Sequence, residues 1–274
     1  MIDQPGATPP VGAGDLEPGP IDLRKTDAAR ARYDRIAPFY DLMQRLNERR
    51  FAPFRAALWG RVQGPRVLEV GVGTGINIPL YPAGLRITGI DLSPRMLDRA
   101  RRRLPASASV ELLEADAQDL PFPDASFDAI VCECAFCTFP GKDIAAAEFA
   151  RVLKMGGGVG ISDLTRTAAP LPELEGLLAW VACIGDALPV QEYGSILTHA
   201  GLSVEKTEMH DEALGEMVRG VQSRLLGVEI ASGLGKLDIP GLDLSAAKQF
   251  ASAAAEAIRG GKLGYTILIA KRRA

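Results

Sequence analysis

Apolar positions along this chain follow two alternating rhythms. Short β-branched runs occupy Arg66–Val70, Leu85–Ile90, Ser109–Glu114, Phe127–Cys132 and Gly158–Ser162, and two more follow at Leu202–Thr207 and Leu263–Ala270. Between them the spacing turns helical at Pro94–Leu104, Lys142–Leu153, Leu171–Ala187, Gln191–Ala200, 211–230 and 244–259. Ser93 before Pro94 is a predicted N-cap, and Met155-Gly156-Gly157-Gly158 is predicted to stop the helix before it. Seven strands alternating with helices predict an α/β fold, a parallel sheet with helices on both faces. Asp27 to Trp59 also reads as helical through Tyr33, Ile36, Phe39, Tyr40, Leu42 and Leu46. Pro38 and Pro53 are predicted to break it into short helices whose basic residues form a solvated face.

The first 20 residues hold five prolines and four glycines without apolar periodicity. Such a segment buries too little surface to offset its ordering entropy. The expected organisation is a disordered tail over 1–24 and one domain over 25–274, with a helical insertion at about 209–261.

Composition narrows the function classes. Among 274 residues, 31 are basic and 34 acidic, so the net charge of −3 argues against a nucleic-acid partner and for a small-molecule substrate. The most apolar stretch, Leu177–Ile184, is too short to span a bilayer, so no membrane partner is expected. The first basic residue is Arg24 and no apolar export segment leads the chain, which predicts a cytoplasmic protein. Four cysteines are no disulfide scaffold at this length. His199 and His210 are isolated and read as structural or surface residues.

Chemistry concentrates where the first predicted strand ends, at Glu69-Val70-Gly71-Val72-Gly73-Thr74-Gly75. A Gly-x-Gly-x-Gly turn lets the backbone pass close to a ligand at the carboxyl edge of a sheet. Ile76 stands where the dinucleotide fingerprint requires glycine, which disfavours NAD. Asp91 follows Glu69 by 22 residues at the end of the second strand, where an acid accepts both ribose hydroxyls.

This order resembles class I S-adenosylmethionine-dependent methyltransferases over roughly residues 30–207. The segments that carry it are the glycine turn, Gly89-Ile90-Asp91-Leu92-Ser93-Pro94, Ala115-Asp116-Ala117-Gln118-Asp119-Leu120-Pro121-Phe122, Ser126-Phe127-Asp128 and Arg151-Val152-Leu153-Lys154-Met155-Gly156-Gly157. The resemblance implies a Rossmann-like seven-stranded, mostly parallel sheet with an antiparallel last strand. It implies S-adenosyl-L-methionine as cofactor. Gly71, Gly73 and Gly75 would surround its methionine part, with Glu69 and Glu133 as further cofactor contacts. Asp91 would meet the ribose, with Leu92 a further cofactor contact, and Asp116 and Ala117 would meet the adenine. Tyr33 and Tyr40 look like the N-terminal lid of the ubiquinone-biosynthesis branch. Transfer from a sulfonium is an in-line displacement, so positioning and exclusion of water dominate.

Three cysteines crowd the end of the fourth strand. Cys132, inside it, reads as a small buried hydrophobe, whereas Cys134 and Cys137 lie past it, at the ligand edge. On a helix over 174–188, Cys183 falls opposite the apolar stripe of Leu174, Leu177, Leu178, Val181, Gly185 and Leu188. Cys134-Ala135-Phe136-Cys137-Thr138-Phe139-Pro140-Gly141-Lys142 and Ala182-Cys183-Ile184-Gly185-Asp186-Ala187 are similar to the arsenite methyltransferases. That narrower resemblance implies Cys134 and Cys183 as ligands of trivalent arsenic. Cys137, or an external thiol such as glutathione or thioredoxin, would be the third; no resident metal is expected. Glu133, Cys137 and Asp186 replace Asn, Asn and Gly of the family pattern. Three readings stay open: methyl transfer to arsenic, methyl transfer to carbon, oxygen or nitrogen of a small metabolite, and a non-catalytic cofactor-binding module.

Overall fold

The computed structural model describes residues 19–45, 48–105, 109–176, 183–233 and 243–273. Two helices open the chain, α1 (Leu23–Arg45) and α2 (Glu48–Trp59). The alternating part follows: β1 (Arg66–Val70), β2 (Arg86–Asp91), α3 (Pro94–Arg103), β3 (Val110–Glu114), β4 (Phe127–Glu133), α4 (Lys142–Val152), β5 (Leu153–Arg166), α5 (Val190–His199) and β6 (Leu202–Met209). A helical pair, α6 (Asp211–Gly233) and α7 (Leu244–Arg259), lies between β6 and the closing strand β7 (Leu263–Arg272).

The seven strands form one sheet in the order β3-β2-β1-β4-β5-β7-β6. The first five are parallel to one another, and β7 runs antiparallel to both β5 and β6. The order reverses direction between β1 and β4. In an open parallel sheet, such a switch point leaves a crevice at the carboxyl ends of the strands.

Alternation along the strands divides the core. Leu68, Val70, Ile130, Cys132, Val159 and Ile161 face the side covered by α4 and α5. Val67, Ala129, Val131 and Ile267 face Leu58 and Trp59 of α2. At roughly 1.5–3 kcal/mol for each fully buried large apolar side chain, these two layers fix which face each strand presents, because a one-residue slip would invert both. Ser93 caps α3, its Oγ accepting from Met96 N at 3.1 Å, as its position before Pro94 predicts.

Several sequence expectations are corrected. Pro38 does not end α1, which continues to Arg45. Proline removes the N–H that would have reached the carbonyl of Asp34, and Arg95 Nη1 donates to that carbonyl instead, at 3.5 Å. Pro53 likewise lies within α2. The Met155–Gly158 run is no helix stop: α4 already ends at Val152, and the run belongs to β5, whose register against β4 is irregular between Phe127–Leu153 and Ala129–Gly158. The helix expected over Leu171–Ala187 is not continuous. A 3-10 turn occupies Pro172–Leu174, residues 183–187 form no regular element, and 177–182 lie outside the described residues. Most of the expected 1–24 tail also lies outside them, although α1 already begins at Leu23.

Candidate functional site

At the switch point the chain leaves a cleft, open to solvent, with about 90 Å³ of enclosed space. Its wall starts at the glycine turn. Gly71 has φ +77°, a left-handed conformation, and a Cβ there would lie 2.4 Å from Cβ of Ala135. At Gly75, φ is +79° and a Cβ would lie 2.5 Å from Ile78 Cδ1, so this glycine closes the turn onto its neighbours and does not line the cleft.

Asp91 is held by the same turn. Gly73 N donates to its Oδ2 at 2.8 Å and Ser93 N to its Oδ1 at 2.9 Å. Burial pushes its carboxyl up to about 6, against the lowering effect of these two amides. Each oxygen keeps a lone pair for a further donor, which suits a diol. Leu92 lines the cleft beside it, and Asp116 and Ala117 line the next stretch. Gln118 steadies Asp116 by donating through its backbone N at 2.9 Å and through Nε2 at 3.1 Å.

Above the cleft lies α1. Ala29, Tyr33 and Tyr40 line it, and on a helix turning ~100° per residue these positions share one face. The helix is tied down by Asp34, whose Oδ1 accepts from Ser93 Oγ at 2.6 Å, and by Asp41, paired with Arg99 and Arg103 at 2.8 and 2.9 Å.

Glu69 stands elsewhere. It is fully buried and absent from the cleft wall, with Asn77 Nδ2 donating to it at 2.7 Å and the Tyr81 hydroxyl donating to its other oxygen. Burial raises its carboxyl to about 7, the neighbouring Glu133 and Asp91 adding to the rise and the two hydrogen bonds opposing it. The acid that does reach the cleft at this end is Glu133. Behind it Arg55 of α2 is 4% exposed and donates to Glu133 Oε1 at 3.2 Å. Arg55 was read as part of a solvated basic face; its buried partner across 78 residues gave no local signal.

The four cysteines are free thiols. Cys132 is buried in β4, as expected for a small hydrophobe. Cys134 lines the cleft, with φ +47° and its N donating to Ser162 O at 2.8 Å. Cys183, with φ +60°, lies in a turn, so its placement owes nothing to a helical stripe. Positive φ at non-glycine residues is uncommon and gathers at functional sites.

Cys137 is buried behind the wall. Its N donates to Asp163 Oδ2 at 2.7 Å, and its thiol lies near enough to Asp163 and Cys183 to feel both. Burial raises the Cys134 and Cys137 thiols well above their ordinary range, with nearby carboxylates adding to the effect. It also carries Asp163 up to about 6. The three cysteines expected at the site are thus neighbours, yet among the described residues no group of three or more His, Cys, Asp or Glu side chains is placed to hold a metal ion.

The cleft wall carries three carboxylates, Asp91, Asp116 and Glu133, and no lysine or arginine among the described residues. That charge balance fits a ligand bearing a sulfonium and an ammonium, and it opposes a pyrophosphate. A glycine turn after β1, an acid at the end of β2 and an acid after β3, in this order on this sheet, are the arrangement of a class I S-adenosylmethionine-dependent methyltransferase.

Comparison with known proteins agrees. The family model described as "Methyltransferase domain" matches residues 68–161. A demethylmenaquinone methyltransferase of Tropheryma whipplei is 34% identical over 164 residues, covering 56% of this chain and 67% of that protein. A phosphatidylethanolamine N-methyltransferase of Cereibacter sphaeroides is 40% identical over 129 residues, covering 46% of this chain and 64% of that protein. The chain belongs to this methyltransferase family, and its cofactor is S-adenosyl-L-methionine. It spans slightly less than two thirds of the length of several such relatives, 64% and 62% for two further demethylmenaquinone methyltransferases.

Among solved structures, the phosphoethanolamine N-methyltransferase 2 of Haemonchus contortus, in complex with S-adenosylhomocysteine, superposes with a TM-score of 0.67 at 20% identity, covering 90% of this chain and 60% of that one. The [4+2]-cyclase SpnF superposes at 0.59 and 23% identity, covering 82% and 80%. At such identities the likeness establishes the fold, which hosts different reactions. No described helix is long and apolar enough to cross a membrane.

Proposed function

We propose that this chain transfers the methyl group of S-adenosylmethionine to carbon, oxygen or nitrogen of a small organic acceptor. The observation that carries the proposal is the character of the far end of the cleft. Tyr33, Tyr40, Ala135, Phe139 and Pro140 give it an apolar, aromatic lining beside Glu133 and Cys134. An acceptor with an apolar body and one nucleophilic atom fits such a wall. Relatives named for demethylmenaquinone, phosphatidylethanolamine and fatty acid acceptors support this class.

When bound, the cofactor supplies an electrophilic methyl on sulfur. The protein's part is to hold it and to align the acceptor. Asp91 and Asp116 would fix the nucleoside end, and Gly71 and Gly73 would let the backbone approach the methionine end. Glu133, backed by Arg55, would receive the ammonium. Tyr33 and Tyr40 would cover the reacting atoms and keep water out.

A second reading, transfer to trivalent arsenic, is favoured by the Cys134, Cys137 and Cys183 neighbourhood and by the left-handed backbone at two of these cysteines. Protonated thiols do not bar it, because arsenous acid condenses with thiols by releasing water and leaves a neutral site. Relatives named for organic acceptors place it second.

The two readings part in one experiment. Purified protein receives methyl-labelled cofactor with a panel of reduced quinones, aminoethanol phospholipids, fatty acids and trivalent arsenicals, as wild type, Cys134→Ser and Cys183→Ser. The organic reading expects label in one organic class and turnover in Cys183→Ser. Label only in the arsenicals, lost in both variants, establishes the second reading. Tight cofactor binding without turnover on any acceptor would contradict both.

A further inference from the structure

The helix α1 touches both halves of the site, reaching each through a different flank. Thr26, Ala29, Tyr33, Ala37 and Tyr40 fall within an arc of about 80° and form its inner face, with Thr26, Ala29 and Ala37 buried. Arg30, Asp34 and Asp41 project about 100–140° to one side of Ala29, and Arg32 about 60° to the other. The first flank faces the cofactor half, where Arg30 pairs with Glu114 at 2.6 Å, Asp34 accepts from Ser93 at 2.6 Å, and Asp41 pairs with Arg99 and Arg103 at 2.8 and 2.9 Å. The opposite flank reaches the Cys183 turn through Arg32, whose Nη1 lies 3.4 Å from Asp186 Oδ2.

Among the described residues, that turn is held by hydrogen bonds downstream of Asp186. Arg166 Nε donates to Ala187 O at 3.0 Å, Arg166 N to Leu188 O at 3.1 Å, and Tyr193 Oη accepts from Leu188 N at 3.0 Å. Cys183 precedes these anchors by four residues, and its φ of +60° is held only while its surroundings hold it. Tyr33, from the inner face of α1, lies within electrostatic range of both Cys183 and Cys137.

We propose that Arg32 and Asp186 are positioning residues for the acceptor side: their ion pair closes α1 over the Cys183 turn and sets Cys183 against Cys137 and Tyr33. Parting the pair lets this flank lift while the cofactor flank stays tied, so acceptors enter and leave here with the cofactor in place. Lys142 of α4 also faces Asp186, so the charge exchange, and not either single change, isolates the pair. The proposal rests on the assignment of this end of the cleft to the acceptor, but its test does not use an acceptor.

The full chain is treated with N-ethylmaleimide, with and without S-adenosylhomocysteine, and labelling of each cysteine is followed by peptide mass spectrometry. A partly exposed ion pair corresponds to up to about a fivefold change in an equilibrium. Arg32→Gln and Asp186→Asn are each expected to speed labelling of Cys183 by about that factor, and the charge exchange R32D/D186R to slow it back toward wild type. Labelling of buried Cys132 stays unchanged, reporting an intact core, and affinity for S-adenosylhomocysteine stays within about twofold. Unchanged Cys183 labelling in both single variants, an exchange variant as fast as the singles, or cofactor affinity falling in step would each overturn the proposal. Once an acceptor is known, a raised KM with kcat preserved supports both the latch and the acceptor assignment. Faster labelling with KM unchanged keeps the latch and removes that assignment.

Discussion

Gly71→Ala probes the turn on which the cleft is built. Two costs add. Holding alanine at φ +77° costs about 1–2 kcal/mol. The new methyl would also lie 2.4 Å from Cβ of Ala135. Neither side retreats freely, since Gly71 N donates to Ile90 O at 2.9 Å and the neighbouring Cys134 N to Ser162 O at 2.8 Å. Overpacking of this kind costs a further ~1–3 kcal/mol. The sum, about 2–5 kcal/mol, is a large share of the ~5–15 kcal/mol that holds a domain folded. Urea denaturation of wild type, Gly71→Ala, Ala135→Gly and the double variant measures it as a cycle. Ala135→Gly should return the steric part to the Gly71→Ala protein and leave the ~1–2 kcal/mol of backbone strain. A Gly71→Ala protein within ~0.5 kcal/mol of wild type, where surface substitutions fall, or a cycle with no coupling, would refute the reasoning.

Further outcomes follow from other contacts. Burial lifts Glu69 to about 7 and Asp91 and Asp163 to about 6, so between their unfolded values near 4 and these values the native state holds extra protons. Stability of the cofactor-free protein from these groups is therefore greatest below that window and falls as pH rises through 6 to 7. Thermal melts across pH 5–8 should show this slope, reduced in Glu69→Gln. Ser93→Ala removes both the α3 cap and a donor to Asp34, and an unfolding free energy lower by ~0.5–2 kcal/mol is expected by chemical denaturation. Arg55→Met leaves Glu133 buried without this ion-pair partner, and a loss of ~3–5 kcal/mol is expected, largely recovered by adding Glu133→Gln. Equal denaturation midpoints for Arg55→Met and wild type would show that the pair is dispensable.

Local pattern revealed the parallel half of the sheet because its strands are short apolar runs closed by turns. The start and end of β1 match the sequence expectation residue for residue. At β5 the pattern was too short. Asp163, Thr165 and Arg166 break the apolar run, yet they extend the strand because β7 pairs with it antiparallel from Gly158–Lys271 to Arg166–Leu263. Pro38 shows the same dependence on distant partners, its missing donor being replaced by Arg95 from another helix.

The site divides along similar lines. Gly71, Asp91 and Asp116 were legible as cleft-lining residues because they follow strand ends. Arg55, Asp163 and Arg32 were not, since their partners Glu133, Cys137 and Asp186 lie 78, 26 and 154 residues away. Glu69 was legible as a site acid only by its place in the motif; Asn77 and Tyr81 turn it away from the cleft. The cysteine cluster was half legible: its members meet, but through a turn at Cys183 and not through a helix face.

The central claim is that Asp91 and the glycine turn hold S-adenosylmethionine in this cleft. Isothermal titration with S-adenosylmethionine, for wild type and Asp91→Ala, tests it most directly. The account predicts one molecule bound per chain, and binding at least ~10-fold weaker in the variant, since losing hydrogen bonds to a charged group costs ~1.5–3 kcal/mol. Wild-type affinity in Asp91→Ala would contradict it.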